Sequence, residues 1–164
     1  GPELLLLDEP TLGLDVVAKR AFLEALLRVG LEQDCTVIYC SHQMEEIERI
    51  ADHLVVLERG ELRHQSSPDA FCERVRLWQI EFPFKAPELR GLAGYLQSQT
   101  VDGITQLLLL DQPEEATSAA LQTLGARRAI SAAVGLDRAI NAFLAKNHAA
   151  PRRAKDESKE SSHA

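Results

Sequence analysis

The stretch Leu4-Leu5-Leu6-Leu7-Asp8-Glu9-Pro10 constrains the fold more than any other. Four consecutive leucines closed by a proline predict a short strand buried on both faces. Such strands belong to the centre of a parallel sheet covered by helices. The strand stops at two adjacent carboxylates. In open α/β sheets ligands bind beyond the carboxyl ends of the strands. Asp8 and Glu9 are therefore delivered to the edge where chemistry would sit. The alternative is a buried strand that runs into an acidic turn.

The carboxylates suit phosphoryl chemistry. An apolar strand ending in Asp is a common way to hold Mg²⁺ beside a phosphate. A Glu directly after it can accept a proton from an attacking water. The rest of the composition narrows the class. At 164 residues the chain accommodates one or two small domains, and 45% hydrophobic residues is ordinary for a globular protein. A net charge of −7 does not point to nucleic acid. No apolar run approaches the roughly 20 residues needed to span a bilayer, and the start carries no signal-peptide pattern. Three cysteines, Cys35, Cys40 and Cys72, form no metal spacing and suit a reducing compartment. The sequence has no initiator Met and begins almost inside a core strand. The expectation is that an N-terminal portion is missing.

Taken in order, Pro10 to Leu14 leave the strand as a loop, with Gly13 available for positive φ. Asp15 is a good N-cap for an amphipathic helix over Val16 to Val29, bearing Ala18, Phe22, Ala25, Leu26 and Val29 on one face, and Gly30 is expected to stop it. Cys35 to Cys40 is a β-prone run. Strand, helix and strand with short connections imply a parallel crossover. The second strand ends in Ser41 and His42, so His42 lands at the same edge as Asp8 and Glu9. The alternative for a lone His after a strand is a cap or surface residue. Gln43 to Ala51 predicts a short helix with Met44, Ile47 and Ile50 on one face and Glu45, Glu46 and Glu48 on a solvated face. Leu54 to Leu57 then turns through Glu58-Arg59-Gly60 into Glu61-Leu62-Arg63 as a hairpin. His53 and His64 are expected at the surface.

Residues 4 to about 63 resemble the C-terminal half of the ATP-binding subunit of ABC transporters. Leu4 to Glu9 resembles the Walker B strand, Leu12-Gly13-Leu14-Asp15 the D-loop, and Ser41-His42 the switch histidine. Met44 to His53 is similar to the helix that follows that histidine, and Leu54 to Leu62 to the closing hairpin. The order and spacing of these motifs carry the resemblance more than any one of them. It implies ATP and Mg²⁺ as cofactors. It implies that Asp8 holds Mg²⁺ through water, that Glu9 polarises the attacking water, and that His42 contacts the γ-phosphate. Asp15 would reach across a dimer interface to couple two ATP sites. The implied partners are a transmembrane permease subunit and a second ATPase subunit, as homodimer or heterodimer, at the cytoplasmic face of the membrane. No nucleic acid is implied.

The departures are specific. No Gly-x-x-x-x-Gly-Lys-Ser/Thr loop occurs in the 164 residues, and neither the Gln that senses the membrane part nor a Ser-Gly-Gly-Gln type motif is found. All three lie N-terminal to the Walker B strand in the family, so their joint absence is the pattern of truncation.

Beyond Gln65 the pattern changes. A short helix is expected over Asp69 to Val75 and a strand over Leu77 to Phe82, with Trp78 as a core anchor. Pro87 to Gln99 reads as helical, although Gly91 and Gly94 weaken it. Ile104 to Leu110 reads as a strand. Glu114 to Leu124 is expected as a helix with Ala116, Ala119, Ala120 and Leu124 on its small-residue face. Ala129 to Val134 predicts a strand, and Leu136 to Asn147 an amphipathic helix bearing Ala139, Ile140, Phe143 and Leu144. The layout resembles the C-terminal extension of subunits that pair with ABC-2 type export permeases. Gly135-Leu136-Asp137-Arg138 with Phe143 is a loose counterpart of the Ser-Leu-Glu-Asp start of that extension's last helix.

The expected fold is therefore α/β: the C-terminal part of a P-loop NTPase parallel sheet with helices, followed by a small α+β domain. The expected divisions are 1–66, 67–148 and a disordered tail at 149–164. The expected function is ATP hydrolysis coupled to export through a separate permease, with the chain inactive alone. Two alternatives remain open: a non-catalytic interaction module, and a soluble ATPase of the wider superfamily acting in DNA repair or translation.

Overall fold

β1 (Leu4–Asp8) and β2 (Thr36–Cys40) pair in parallel, Leu4 opposite Thr36 and Asp8 opposite Cys40. α1 (Val16–Glu32) connects them. This is a computed structural model, and it describes residues 2–32 and 35–149. In-register pairing brings the ends of both strands to one edge, where Glu9 N donates to Cys40 O at 2.9 Å.

The leucines of β1 are not buried on both faces. Leu5 and Leu7, with Val37 and Tyr39 of β2, form a half-buried face. The opposite face is open, with Leu4 55% and Leu6 68% exposed. The reason is the size of the sheet. β1 and β2 form a two-stranded sheet, so a run that is apolar on both faces is covered on only one among the described residues. α1 also departs from expectation. It continues through Gly30 to Glu32, because Gly30 does not take the left-handed conformation that ends a helix. Its buried residues are Leu23 and Leu26, with Ala18, Phe22 and Val29 half-buried and Ala25 exposed.

α2 (Met44–Ile50) leads into an antiparallel hairpin, β3 (Leu54–Glu58) and β4 (Glu61–Ser66). Arg59 and Gly60 at its tip both have positive φ, 53° and 78°, as the twist of a two-residue hairpin turn requires. α3 (Pro68–Arg74) follows, with Ser67 Oγ accepting from Ala70 N at 3.2 Å and Pro68 pre-set for the first turn.

The remaining elements build an antiparallel sheet in the order β6-β7-β5-β8. They are β5 (Val75–Glu81), β6 (Tyr95–Val101), β7 (Ile104–Leu110), α4 (Glu114–Thr123), β8 (Arg128–Ala133) and α5 (Leu136–Ala149). The period-2 alternation of β5 and β7 divides the core. Val75, Leu77 and Leu108 face Ile47 of α2, Leu54 and Val56 of β3, Phe71 of α3 and Leu136, Ala139 and Ile140 of α5. Trp78, Ile80, Leu107 and Leu109 face Leu89 and Leu121 of α4. The first cluster thus draws on residues from both sides of position 66.

Three local expectations fail for physical reasons. Residues 87–99 are not helical: 95–101 form β6. Gly94 has φ +69° and lies so close to β7 that an added Cβ would sit 2.1 Å from Leu110 O, while Leu110 N donates to Gly94 O at 2.8 Å. Strand pairing with β7 overrides the weak local helix preference. The inward face of α4 is Thr117 and Leu121, with Ala116, Ala119 and Leu124 exposed. Turning Leu121 inward buries more apolar surface than an alanine stripe would. His64 is half-buried rather than superficial. It sits 4.9 Å, centroid to centroid, from the Phe71 ring, and Arg74 Nη1 donates to its Nδ1 at 2.8 Å. The expected disordered tail lies outside the described residues, save for Ala149.

Candidate functional site

The parallel pair sets the positions of the candidate residues. Asp8 is the last residue of β1 and is exposed, without an ion pair or side-chain hydrogen bond among the described residues. Glu9 follows in the left-handed region, φ 45°. A non-glycine residue held there stores on the order of 1–3 kcal/mol of strain. Two contacts tie it to β2 and the turn that follows: its backbone N–H to Cys40 O, and its carboxylate to the turn after β2.

That second contact joins Glu9 and His42. Glu9 Oε1 accepts from the His42 backbone N–H at 2.9 Å and from His42 Nδ1 at 2.8 Å. A carboxylate oxygen only accepts, which assigns a ring proton to Nδ1. The imidazole is 70% exposed. The other oxygen, Glu9 Oε2, is buried and has no hydrogen-bond partner among the described residues. The carboxylate is thus oriented by one oxygen, while the other is buried without a partner.

Asp15 is not brought to this pair by any contact. Its Oδ1 accepts from Val17 N at 2.9 Å and Ala18 N at 2.8 Å, so it caps α1. The loop between Glu9 and Asp15 is anchored instead by Thr11, whose side chain is buried.

Thr11 leads to a residue that the sequence places on a solvated face. Glu46 of α2 is 3% exposed. Its Oε1 accepts from Thr11 Oγ1 at 2.8 Å and pairs with Lys19 Nζ at 2.8 Å. Its Oε2 accepts from Ser41 Oγ at 3.2 Å, from Thr11 at 3.0 Å and from the Tyr39 hydroxyl. Lys19 also donates to Gln43 Oε1. Burial alone would raise the Glu46 carboxyl, but the hydrogen bonds from Lys19, Tyr39 and Thr11 and the Lys19 charge outweigh it and hold the group down at about 2. Burial and the bond to Glu46 push the Tyr39 hydroxyl up to about 12. The signal in the sequence was indirect. Lys19, Tyr39 and Thr11 come from three other segments and converge only in the folded chain.

Magnesium is a hard cation that keeps several waters and takes one or two carboxylates beside substrate phosphates. The exposed Asp8 carboxylate fits a contact through water. Among the described residues no three His, Cys, Asp or Glu side chains form a metal-binding group, so a cation here would rely on the phosphates for further ligands. No helix of the described residues is long and apolar enough to cross a membrane.

Known proteins similar to the chain share one description. It is 48% identical over 64 residues to the molybdenum import ATP-binding protein ModC of Pectobacterium atrosepticum, covering 39% of this chain and 18% of that protein. It is 34% identical over 85 residues to the energy-coupling factor transporter ATP-binding protein EcfA2 of Staphylococcus epidermidis, covering 50% of this chain and 30% of that protein. It is 33% identical over 115 residues to EcfA2 of Caldanaerobacter subterraneus, covering 70% of this chain and 40% of that protein. The chain therefore spans less than half the length of these relatives. No protein-family model matches it. Over the stretch that these alignments cover, the chain is homologous to ATP-binding subunits of ABC transporters.

Proposed function

We propose that this chain supplies the carboxylate and histidine part of an ATP-hydrolysing site that drives transport through a separate membrane permease. The observation that carries the reading is the Glu9–His42 pair: one carboxylate oxygen fixed by two donors from the turn after β2, the other buried and unpartnered. In the proposed mechanism the Glu9 carboxylate, held by His42, accepts the hydrogen bond of the attacking water and orients it. His42 meets the γ-phosphate. Bound Mg²⁺ would neutralise charge developing on the phosphate oxygens, and Asp8 would hold its water shell. Little covalent chemistry is asked of the protein, so fixed positions account for most of the catalysis. Asp15 reaches a second ATPase subunit, as homodimer or heterodimer, with the oxygen that does not cap α1. The phosphates themselves need a cradle that residues 1–164 do not contain, which supports a chain inactive alone.

We assign residues 1–66 to the catalytic unit and 67–148 to an extension that carries no catalytic constellation. The place of work is the cytoplasmic face of the membrane. The layout of the extension supports export. A second reading, import, is favoured by the name of the molybdenum relative, and vesicle transport assays in the two orientations separate them.

The test is ATP turnover by the full-length protein and its Glu9→Gln variant. General-base contributions are on the order of 10²–10⁴-fold, so turnover falls at least a hundredfold while nucleotide affinity is kept. Unchanged turnover removes Glu9 from the mechanism. Tight Mg-ATP binding by residues 1–164 alone overturns the view that the phosphate cradle lies elsewhere.

A further inference from the structure

Glu9 and His42 face each other from two separate loops, and neither loop is held in place by that pair alone. The loop of Glu9 runs from Pro10 to Leu14 and is fastened near its start, where Thr11 is 1% exposed. The turn of His42 is fastened by its neighbours: Tyr39 and Ser41 before it and Gln43 after it. All these fastenings meet at one carboxylate. Glu46 Oε1 takes Thr11 and Lys19, and Oε2 takes Tyr39 and Ser41. Lys19 extends the network to Gln43, and Ser41 Oγ accepts from Gln43 N at 3.0 Å.

We propose that Glu46 is a positioning residue that sets the spacing between the Glu9 loop and the His42 turn by accepting hydrogen bonds from Thr11 on one side and from Tyr39 and Ser41 on the other. The proposal rests on the reading of Glu9 and His42 as the working pair. A carboxylate offers about four acceptor sites on two oxygens. Glu46 fills them with three hydroxyls and one ammonium. An acceptor-only group is the right hub for four donors, and no other side chain of similar size accepts so many. An amide at this position would turn an N–H toward donors. A buried acceptor network with every member satisfied is rigid, and loss of one member is felt by the rest. Thr11 has no hydrogen bond to residues 41–43 among the described residues, and Glu46 links it to Ser41, the residue before His42.

The test uses the purified chain without nucleotide, so its outcome is separate from that of the hydrolysis assay. Thr11→Val removes one hydroxyl and keeps the side-chain shape. Hydrogen exchange is followed at the His42 amide, which donates to Glu9, and at the Leu12 amide, which donates to Glu9 O at 3.1 Å. The ring resonance of His42 is followed by NMR. The expected result is a tenfold or greater rise in exchange at His42 and a shifted ring resonance, with amides of β5 and β7 unchanged. Ser41→Ala is expected to act in the reverse direction, raising exchange at Leu12. In a Glu46→Asp background the shorter carboxylate is expected to restore neither contact fully, so Thr11→Val adds less than threefold at His42. The proposal is overturned if Thr11→Val leaves exchange and the ring resonance of His42 as in the parent chain, or if its full effect persists in the Glu46→Asp background. Loss of turnover in Glu9→Gln with no cross-talk between Thr11 and His42 would uphold the catalytic reading and sink this one.

Discussion

Lowering the pH should erase the contribution of Glu46 to folding over a defined window. The carboxyl sits at about 2 in the folded chain against an ordinary 4.5. Folding therefore favours the ionised form, and the stabilisation is fully present above pH 4.5. It is lost progressively as pH falls from there through about 2. The size of that shift corresponds to about 3 kcal/mol for a group as buried as this one. The network accounts for the magnitude. Protonation gives the buried oxygen pair a donor of its own in a place already crowded with four, so at least one hydroxyl loses its acceptor. The assay is urea denaturation at a series of pH values between 6 and 2.5 for the parent chain and for Glu46→Gln, which resembles the protonated acid and does not titrate. At pH 6 the parent is the more stable. The gap between the two should narrow by most of about 3 kcal/mol by pH 2.5. Other carboxylates titrate in both proteins and cancel in the difference. Two curves that stay parallel from pH 6 to 2.5 would refute the view that Glu46 is ionised and held by its donors.

Two further outcomes follow from the packing. Gly94→Ala forces a Cβ to within 2.1 Å of Leu110 O at a φ of +69°, so stability should fall by at least about 2 kcal/mol in chemical denaturation, with β6 and β7 amides losing exchange protection first. His64 is held below its ordinary value by burial and then by the Arg74 charge, so folding favours its neutral form, a contribution present above pH 6.5 and lost as pH falls. Arg74→Gln should move its titration upward, read from the ring protons by NMR, and an unmoved titration would show that burial alone is responsible.

The elements that a reader of the sequence can find are those whose signal is local. The four leucines and the polar residues after Cys40 fix β1, β2 and the meeting of Glu9 with His42, because parallel pairing across a single helical crossover leaves little choice. The hairpin at Arg59-Gly60 is equally local. What stays hidden depends on partners from elsewhere. Glu45, Glu46 and Glu48 look alike around a seven-residue helix, and only the arrival of Thr11, Lys19 and Tyr39 turns Glu46 inward. β6 escapes for a different reason. Gly91 and Gly94 obscure its start, but Asp102-Gly103 between Val101 and Ile104 is a hairpin signal that marks it. The openness of one face of β1 is not encoded in β1, since it depends on how many strands the sheet has.

The relation of α2 to α5 has its own outcome. Glu48 Oε1 accepts the Leu136 backbone N–H at 2.6 Å, across 88 positions. A helix closed by its own preceding residue can form its first turn as soon as it leaves the ribosome. The first turn of α5 is closed instead by a carboxylate from far earlier in the chain, and its apolar face joins Ile47, Leu54 and Val56 from the same early segment. Contacts of such sequence separation are slow to form. A cut near residue 66 would therefore part Ile47, Leu54 and Val56 from the α5 residues they pack against.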